Sequence, residues 1–181
     1  MKSEIEVKAK VSNFNELISK LKEIGCVLSE PIIQDDYIYI PKGVVYEDIH
    51  NHAVLRLRKQ GDRNLFTLKK NRSNELDCIE REIDVNNGEI LIDIFELMGY
   101  VPFAEVHKKR RKTQYNEYEI CVDEVNELGS FIEVEKMSDE ADGEKVQGEI
   151  FDFMQTLGVK REDRVMNGYD TLVWMKNNKK N

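Results

Sequence analysis

The clearest pattern in the chain is an alternation of charged and apolar residues with the two-residue period of a β-strand. It begins at residues 4–11, EIEVKAKV, and continues later in segments that share the same alternation: 53–58, 65–69, 79–85, 106–112, 118–123 and 132–135. Two pairs of these segments are joined by glycine-containing turns, GDR at 61–63 and NELGS at 126–130. The pattern therefore predicts antiparallel strands connected in part by hairpins.

Three other segments have the spacing of amphipathic helices. The first follows Asn13, an N-cap residue with Glu16 three positions later, and ends at Gly25. The second and third run from about 89 to 98 and from about 144 to 157, and each is followed by a glycine. Because each segment is apolar on one face only, we expect the helices to cover one face of the sheet.

The polar faces of the predicted strands carry full charges, whereas a solvent-exposed sheet face usually mixes Ser, Thr, Gln and Lys with acids. Like charges recur two residues apart on these faces: Glu4 and Glu6, Glu80 and Glu82, Glu133 and Glu135, Arg56 and Arg58, and Lys108 and Arg110. Such pairs repel, so their repetition indicates groups of opposite sign between them.

A sheet of about eight strands can close on itself, with the charged faces inside and the apolar faces against helices. We therefore predict an α+β fold: a closed antiparallel β-barrel of about eight strands with amphipathic helices on the outside. Enclosed charges cost several kcal/mol per ion unless they are paired or bound to a ligand. Phosphates for the bases and a divalent cation for the carboxylates would suit this interior.

Length and composition set further limits. The chain has 181 residues, of which 40% are hydrophobic, which favours one domain over residues 1–175 followed by a polar tail at 176–181 that includes Lys179 and Lys180. The net charge of −8 disfavours binding to a bare polyanion, so we expect no nucleic-acid partner.

Cysteine usage and hydropathy bear on the compartment. The three cysteines are odd in number and have no metal-ligand spacing, which favours reduced thiols. No apolar segment approaches the roughly 20 residues needed to span a bilayer, and the N-terminus lacks a signal-peptide pattern. We expect a cytoplasmic protein with no membrane partner.

Some conspicuous residues have a structural interpretation. In the basic run at 108–112, alternation points Lys109 and Arg111 away from the charged face. His50 and His52 have no third nitrogen or thiol ligand at suitable spacing, so we interpret them as structural. Tyr169 either anchors the C-terminal segment or donates a hydrogen bond at the end of the tunnel.

The first strand, EIEVK at 4–8, matches the ExExK signature of the CYTH superfamily, the triphosphate tunnel metalloenzymes. An ordered set of further blocks matches as well: AVLRLR (53–58), FTLKK (66–70), EREID (80–84), GYVPFAEVHKKRRKTQY (99–115), EICVDEVNELGSFIEVE (119–135) and NGYDTLVW (167–174). The chain resembles this superfamily over nearly its whole length, and its late blocks are most similar to the class IV adenylate cyclase branch. It departs from the family pattern at Glu80, where a base is usual, and at Gly168, where a serine is usual.

The resemblance implies roles for the charged residues. It implies Mg2+ or Mn2+ as cofactor, held by Glu4, Glu6, Glu133 and Glu135, which with Lys8 form the predicted catalytic set. The implied triphosphate-binding bases are Lys8, Arg56, Arg58, Lys69, Lys108 and Arg110. Further substrate-site acids, which would bind a second metal or orient the bases, are Glu80, Glu82 and Asp123.

The same resemblance leaves three functions open. The favoured one is an adenylate cyclase that converts ATP to cAMP and pyrophosphate. The alternative is a triphosphatase acting on inorganic tripolyphosphate, thiamine triphosphate or a nucleoside triphosphate. The third is a non-catalytic module that binds polyphosphate or nucleotides. The oligomeric state is also open, with a homodimer as one alternative.

Overall fold

The computed structural model describes residues 3–139 and 143–178. The strands are β1 (Ser3–Val11), β2 (Ile32–Pro41), β3 (Ala53–Gln60), β4 (Arg63–Asn74), β5 (Asp77–Val85), β6 (Tyr100–Tyr115), β7 (Tyr118–Val125), β8 (Gly129–Ser138) and β9 (Arg164–Val165). The α-helices are α1 (Phe14–Glu23), α2 (Gly88–Leu97), α3 (Gly143–Thr156) and α4 (Tyr169–Asn178). Two 3₁₀-helices span Tyr46–Asn51 and Arg161–Asp163.

The described strands form one sheet in the order β5-β4-β3-β2-β6-β7-β8-β1-β9, and a further pairing of β5 with β1 closes it. The β9 strand contributes two residues, Arg164 and Val165, that pair antiparallel with β1. The predicted fold class, a closed eight-stranded antiparallel β-barrel with helices, is confirmed.

The chain divides into two compact units. The first contains the residues up to Ile32 together with Lys109–Met166. The second contains Ile33–Lys108 together with the residues from Asn167 on. The prediction of one domain over residues 1–175 stays a prediction.

The core of the first unit lies between its strands and the helices α1 and α3. Apolar residues of β1, β7 and β8 alternate with the charged ones and pack against the apolar faces of both helices. Several side chains of these strands and of α3 are completely buried, namely Ile5, Val7, Ile120, Ile132, Val134, Ile150 and Met154. The apolar row that alternates with Glu4, Glu6 and Lys8 is therefore what holds that charged row in place.

The α1 helix begins and ends where its sequence predicts. The side chain of Asn13 accepts a hydrogen bond from the backbone N–H of Glu16 at 3.2 Å, which caps the first turn. The chain leaves the helix through Gly25, whose φ of +87° lies in the left-handed region that glycine adopts without strain. The two other predicted helices are confirmed as α2 and α3.

The second unit has its own smaller core. Leu55 and Leu57 of β3 pack with Phe95 of α2, and the Phe95 ring lies 5.2 Å from the ring of Tyr39. On the outer side of α2, Ile90 is 57% exposed and Leu97 is 88% exposed. The α2 helix thus contributes only one face to the core.

Two elements of the second unit were not predicted from the sequence, β2 and α4. The apolar residues of α4 form one continuous run, Leu172–Met175, instead of a helical stripe. The ring of Trp174 stacks on Tyr46 at 4.4 Å and on Phe103 at 5.9 Å. The α4 helix ends at Asn178, inside the segment 176–181 that was predicted as a tail, while Lys179 and Lys180 lie outside the described residues.

Two general expectations can be compared with the structure. Cys26, Cys78 and Cys121 are all buried, and their thiols form no disulfide with one another. None of the described helices has the length and apolarity required to cross a membrane.

Truncation of Ile150 tests the packing of α3. We expect Ile150→Ala to lower the free energy of unfolding by about 2–5 kcal/mol, because the side chain is fully buried and its removal leaves a cavity. The matched helical control, Ile90→Ala, should change it by no more than about 0.5 kcal/mol. Urea unfolding of both variants measures the difference, and equal effects would contradict the packing described.

Candidate active site

Three carboxylates from β1 and β8 lie close together in the first unit. Glu6 is directly opposite Glu135 in the antiparallel register, and Glu4 lies on the same face of β1 as Glu6 because it is two residues away. One carboxylate oxygen from each of the three lies within 4.8 Å of the others. We call Glu4, Glu6 and Glu135 the acidic triad.

The acidic triad has an excess of negative charge. Burial raises the pKa of Glu135 well above its ordinary value, and the neighbouring Glu4 and Glu6 raise it further. Such a cluster favours a bound proton or a bound cation over three ionised carboxylates.

Glu133, the fourth predicted metal ligand, has cationic neighbours. It lies opposite Lys8 in the register of β1 and β8, and the Lys8 ammonium group is 3.0 Å from a Glu133 oxygen and 3.3 Å from a Glu6 oxygen. Arg110 also donates to Glu133. Lys8 is only 2% exposed, so its charge is neutralised by these carboxylates and not by water.

Arg110 is enclosed by two acids. It binds Asp123 through both prongs of its guanidinium group, with Nε to Oδ1 at 2.8 Å and Nη2 to Oδ2 at 2.5 Å. Burial opposes the charge, but Glu133 and Asp123 outweigh it and hold the pKa of Arg110 well above its ordinary value. The guanidinium is therefore fixed in orientation and permanently charged.

Cys121 completes a second group of possible ligand atoms with Glu133 and Glu135, all within 4.8 Å of one another. Burial raises the pKa of the Cys121 thiol well above its ordinary value. The thiol stays protonated and is a poor ligand for a hard cation, so the acidic triad is the better candidate for Mg2+ or Mn2+.

In the second unit, a buried carboxylate holds two of the predicted phosphate-binding bases. Asp36 accepts hydrogen bonds from Arg58 Nε at 2.6 Å and Nη2 at 2.8 Å, and lies 3.6 Å from Lys108 Nζ. Burial would raise the pKa of Asp36, but Lys108 and Arg58 outweigh it and keep it well below the ordinary value.

Asp36 was missed by the sequence reasoning. It lies on β2, in the segment QDDYIYI at 34–40, where Gln34, Asp36, Ile38 and Ile40 share one face and are all buried. This buried row mixes one acid, one amide and two aliphatic residues, so it lacks the repeated like charges that marked the other strands. The run YIYI at 37–40, made of aromatic and β-branched residues, was the sequence signal that could have identified the strand.

A second ion-pair network in the same unit involves β3, β4 and β5. Lys69 Nζ lies 2.7 Å from Glu80, and Arg56 Nη2 lies 3.8 Å from Glu80 and 3.4 Å from Glu82. Burial would raise the pKa of Glu80, but Lys69 and Arg56 outweigh this effect and lower that pKa to about 2. Thr67 joins the network, accepting from Arg56 at 3.0 Å and donating to Glu82 at 2.9 Å.

The remaining predictions concern single residues. Lys108 and Arg110 are buried and Lys109 is exposed, as the alternation on β6 predicts, whereas Arg111 is partly buried. Among the described residues, the candidate metal groups include neither His50 nor His52. Tyr169 is buried at the start of α4, with Lys108 Nζ at 5.0 Å from its ring centroid, so it contacts a predicted substrate-binding base.

The acidic triad fits a hard divalent cation. Oxygen ligands of one Mg2+ ion are about 2.1 Å from it, and hence at most about 4.2 Å from one another. Three carboxylate oxygens already within 4.8 Å need little movement to reach that spacing. The charge excess at Glu135 would be relieved by such an ion.

A protein-family model described as the CYTH domain matches residues 2–169. The chain belongs to the CYTH family. The resemblance inferred from its motifs is thereby confirmed. CYTH superfamily enzymes act on triphosphates.

Several proteins are similar to this CYTH chain over almost its full length. A Methanocaldococcus jannaschii protein named "Putative adenylate cyclase" is 24% identical over 169 residues, which are 92% of this chain and 95% of that protein. The PH1012 protein of Pyrococcus horikoshii has a structure that matches with a TM-score of 0.79 and 25% identity, covering 94% of this chain and 99% of that chain.

A more distant structure from Hippeastrum shares the CYTH fold. It is described as a "putative adenylyl cyclase" with a dominant triphosphatase activity. Its TM-score is 0.63 at 15% identity, over 98% of this chain and 96% of that chain.

Replacement of Glu135 tests the electrostatics of the acidic triad. A raised pKa means that ionisation of Glu135 destabilises the metal-free fold as the pH rises from the ordinary carboxyl pKa toward the folded one. Glu135→Gln should therefore unfold at a higher temperature than the unchanged CYTH domain in EDTA at pH 8. Each kcal/mol of relieved repulsion corresponds to about 2–4 °C.

The difference in Tm between Glu135→Gln and the unchanged protein should shrink as the pH falls. Adding Mg2+ should raise the Tm of the unchanged protein only. Thermal unfolding at several pH values measures both effects. A lower Tm for Glu135→Gln in EDTA would contradict the repulsion described.

Replacement of Asp36 tests the buried pair of the second unit. Because the folded pKa of Asp36 is lowered, its ionised form stabilises the fold above the ordinary carboxyl pKa, and this contribution is lost as the pH falls. Asp36→Asn should lower the free energy of unfolding by about 3–5 kcal/mol at pH 7, since it leaves Arg58 and Lys108 without their carboxylate.

The loss caused by Asp36→Asn should become smaller below about pH 4. The control is Asp93→Asn on the exposed side of α2, which should have little effect at either pH. Urea unfolding at pH 7 and pH 3 gives the comparison, and a loss that does not depend on pH would argue against an ion pair at Asp36.

Proposed function

We propose that this CYTH protein is a divalent-metal-dependent enzyme that converts ATP to cAMP and pyrophosphate. The observation that carries the proposal is the acidic triad beside two buried bases, Lys8 and Arg110, in the first unit. Carboxylates bind a hard cation and the bases bind phosphate, so the two groups together suit a metal–triphosphate complex. A protein that only bound anions would need the bases without the acidic triad.

The acidic triad is the proposed holder of Mg2+ or Mn2+, with Glu133 as a further ligand. When bound, such a cation neutralises phosphate charge and lowers the pKa of an attacking hydroxyl group. The contacts of Glu133 with Lys8 and Arg110 also support a role in orienting these two bases.

The proposed phosphate-binding bases are held before substrate arrives. Asp123 fixes the plane of Arg110, and Asp36 fixes the plane of Arg58 by the same two-pronged contact. A guanidinium in a fixed orientation needs no rearrangement to stabilise charge that develops on departing phosphate oxygens. Lys8, Arg56, Lys69 and Lys108 are the remaining proposed phosphate-binding bases.

In the proposed reaction, the ribose 3′-oxygen of ATP forms a bond to the α-phosphorus, and the bond from that phosphorus to the bridging oxygen of the β-phosphate breaks. The hydroxyl proton is lost to solvent, and pyrophosphate leaves with the electron pair. The reaction needs positioning and charge neutralisation more than a protein nucleophile. The M. jannaschii relative, named "Putative adenylate cyclase", supports this choice.

Triphosphate hydrolysis is the second candidate. The described ion-pair networks contain groups suited to phosphate and metal, which any triphosphate offers. The Hippeastrum protein shows that the shared fold accommodates triphosphatase activity. In this reaction water attacks the terminal phosphorus in place of the ribose hydroxyl.

Product identification distinguishes the candidates. The purified protein is incubated with Mg2+ or Mn2+ and, separately, with ATP, inorganic tripolyphosphate or thiamine triphosphate. Formation of cAMP and pyrophosphate supports the cyclase, and orthophosphate supports the triphosphatase. Binding without turnover of any substrate would overturn the proposal of an enzyme and leave a binding module.

Replacement of Glu4 tests the proposed metal site with little risk to folding, because Glu4 is only partly buried. Glu4→Gln should weaken Mg2+ or Mn2+ binding by at least about 10- to 100-fold and lower kcat/KM at limiting metal to a similar extent. Glu124→Gln, on an exposed position of β7, is the control. Activity titrated against metal concentration gives the comparison, and identical curves for Glu4→Gln and the control would exclude Glu4 as a ligand.

A further inference from the structure

A buried amide lies next to the proposed phosphate-binding bases of the second unit. Gln34 on β2 is 2% exposed, and its Nε2 donates to Gln60 Oε1 at 2.8 Å. Its own oxygen, Oε1, is buried and accepts no hydrogen bond from any described residue. One end of the Gln34 side chain is therefore held in place while the other offers an acceptor.

An unpaired buried acceptor is unfavourable in the ligand-free protein. A carbonyl oxygen taken out of water loses its hydrogen bonds to solvent, and none of the residues that the structure describes compensates for this loss at Gln34. An aliphatic side chain of the same length would avoid it. A ligand with an N–H or O–H donor would remove the cost and gain binding free energy at this position.

The amide pair is placed beside the charged residues by strand geometry. Asp36 lies directly opposite Arg58 in the register of β2 and β3. Gln34 shares a face of β2 with Asp36, and Gln60 shares a face of β3 with Arg58, because each is two residues away. The amide pair is thus the next layer along these strands, about 7 Å from the Asp36–Arg58 layer.

We propose that Gln34, oriented by Gln60, recognises the nucleobase of the triphosphate substrate and selects adenine. The inference rests on the proposed function, since it assigns a specificity-determining residue to the same substrate. Arg58 would hold phosphate, and the uncharged layer beside it would contact a part of the substrate that carries no phosphate.

The hydrogen-bonding groups of Gln34 match those of adenine. Adenine presents an amino donor beside the N7 acceptor, and a glutamine amide pairs with both through its oxygen and its N–H. Gln34 has the free oxygen, and its NH₂ group keeps a second hydrogen beyond the one donated to Gln60. Guanine presents an acceptor oxygen where adenine has its amino group, so it would face the Gln34 oxygen unfavourably.

The test compares substrates that differ only in the base. Gln34→Met keeps the length of the side chain and removes both hydrogen-bonding groups. We expect it to lower kcat/KM for ATP by about 5- to 150-fold, the usual value of a glutamine–adenine contact, and to reduce the preference for ATP over GTP. Turnover of inorganic tripolyphosphate, which has no base, should stay within twofold. Gln155→Met, at an exposed position of α3, should change none of these values.

The contrary result is a parallel loss for ATP, GTP and tripolyphosphate, or no loss for any of them. Either would show that Gln34 does not read the base. Gln60→Met, at a less buried position, removes the group that orients Gln34 and should lower the ATP preference by a smaller factor. It serves as the second variant should Gln34→Met fail to fold.

Binding measurements separate this inference from the proposed reaction. Calorimetric titration with ATP and with tripolyphosphate, each in the presence of Mg2+, gives the affinity for ATP divided by the affinity for tripolyphosphate. This ratio is measured without any turnover. A ratio that falls in Gln34→Met supports base recognition even if the protein turns over neither compound. An unchanged ratio overturns the inference whether or not the cyclase reaction is found.

Discussion

The pairing of Arg110 with Asp123 and Glu133 is the interaction on which the charged interior of the first unit depends. All three side chains are nearly or completely buried, so none can rely on water to stabilise its charge. Removing one partner from such a group leaves a buried charge uncompensated, at a cost of about 3–5 kcal/mol. Glu133 of β8 also binds Lys8 of β1, so this one carboxylate links β8 by ion pairs to both β1 and β6. The apolar rows that alternate with these residues supply the packing that holds them in this arrangement.

The charges of the two units are balanced differently. In the first unit, the side chains of the site include more acids than bases: Glu4, Glu6, Asp123, Glu133 and Glu135 against Lys8 and Arg110. In the second unit, Asp36 faces two bases, Arg58 and Lys108. An excess of carboxylate favours a cation, and an excess of base favours an anion such as phosphate. The repulsion at Glu135 is thus a cost to the metal-free fold that a bound cation would relieve.

Sequence reasoning was most accurate where several levels of pattern agreed. The alternation in β1, the cap at Asn13 and the glycine stop at Gly25 each predict the same local structure, and the fold confirms them. It missed β2 because the buried row of that strand contains Gln34 and Asp36 beside aliphatic residues, without the repeated like charges used to recognise the other strands. It missed α4 because that helix is held by aromatic stacking at Trp174 and not by a regular apolar stripe.

The sequence by itself determined which side chains share a face of a strand, because a period of two residues follows from the backbone alone. It thereby identified the charged rows and, through its motifs, the family. Only the tertiary structure decided which charges meet, because register and strand order join residues far apart in the chain. The pairing of β1 with β8 places Glu6 opposite Glu135 and Lys8 opposite Glu133, and that of β2 with β3 places Asp36 opposite Arg58. Burial then strengthens the Coulomb interactions that shift the pKa values of Glu135 and Asp36, because water is excluded.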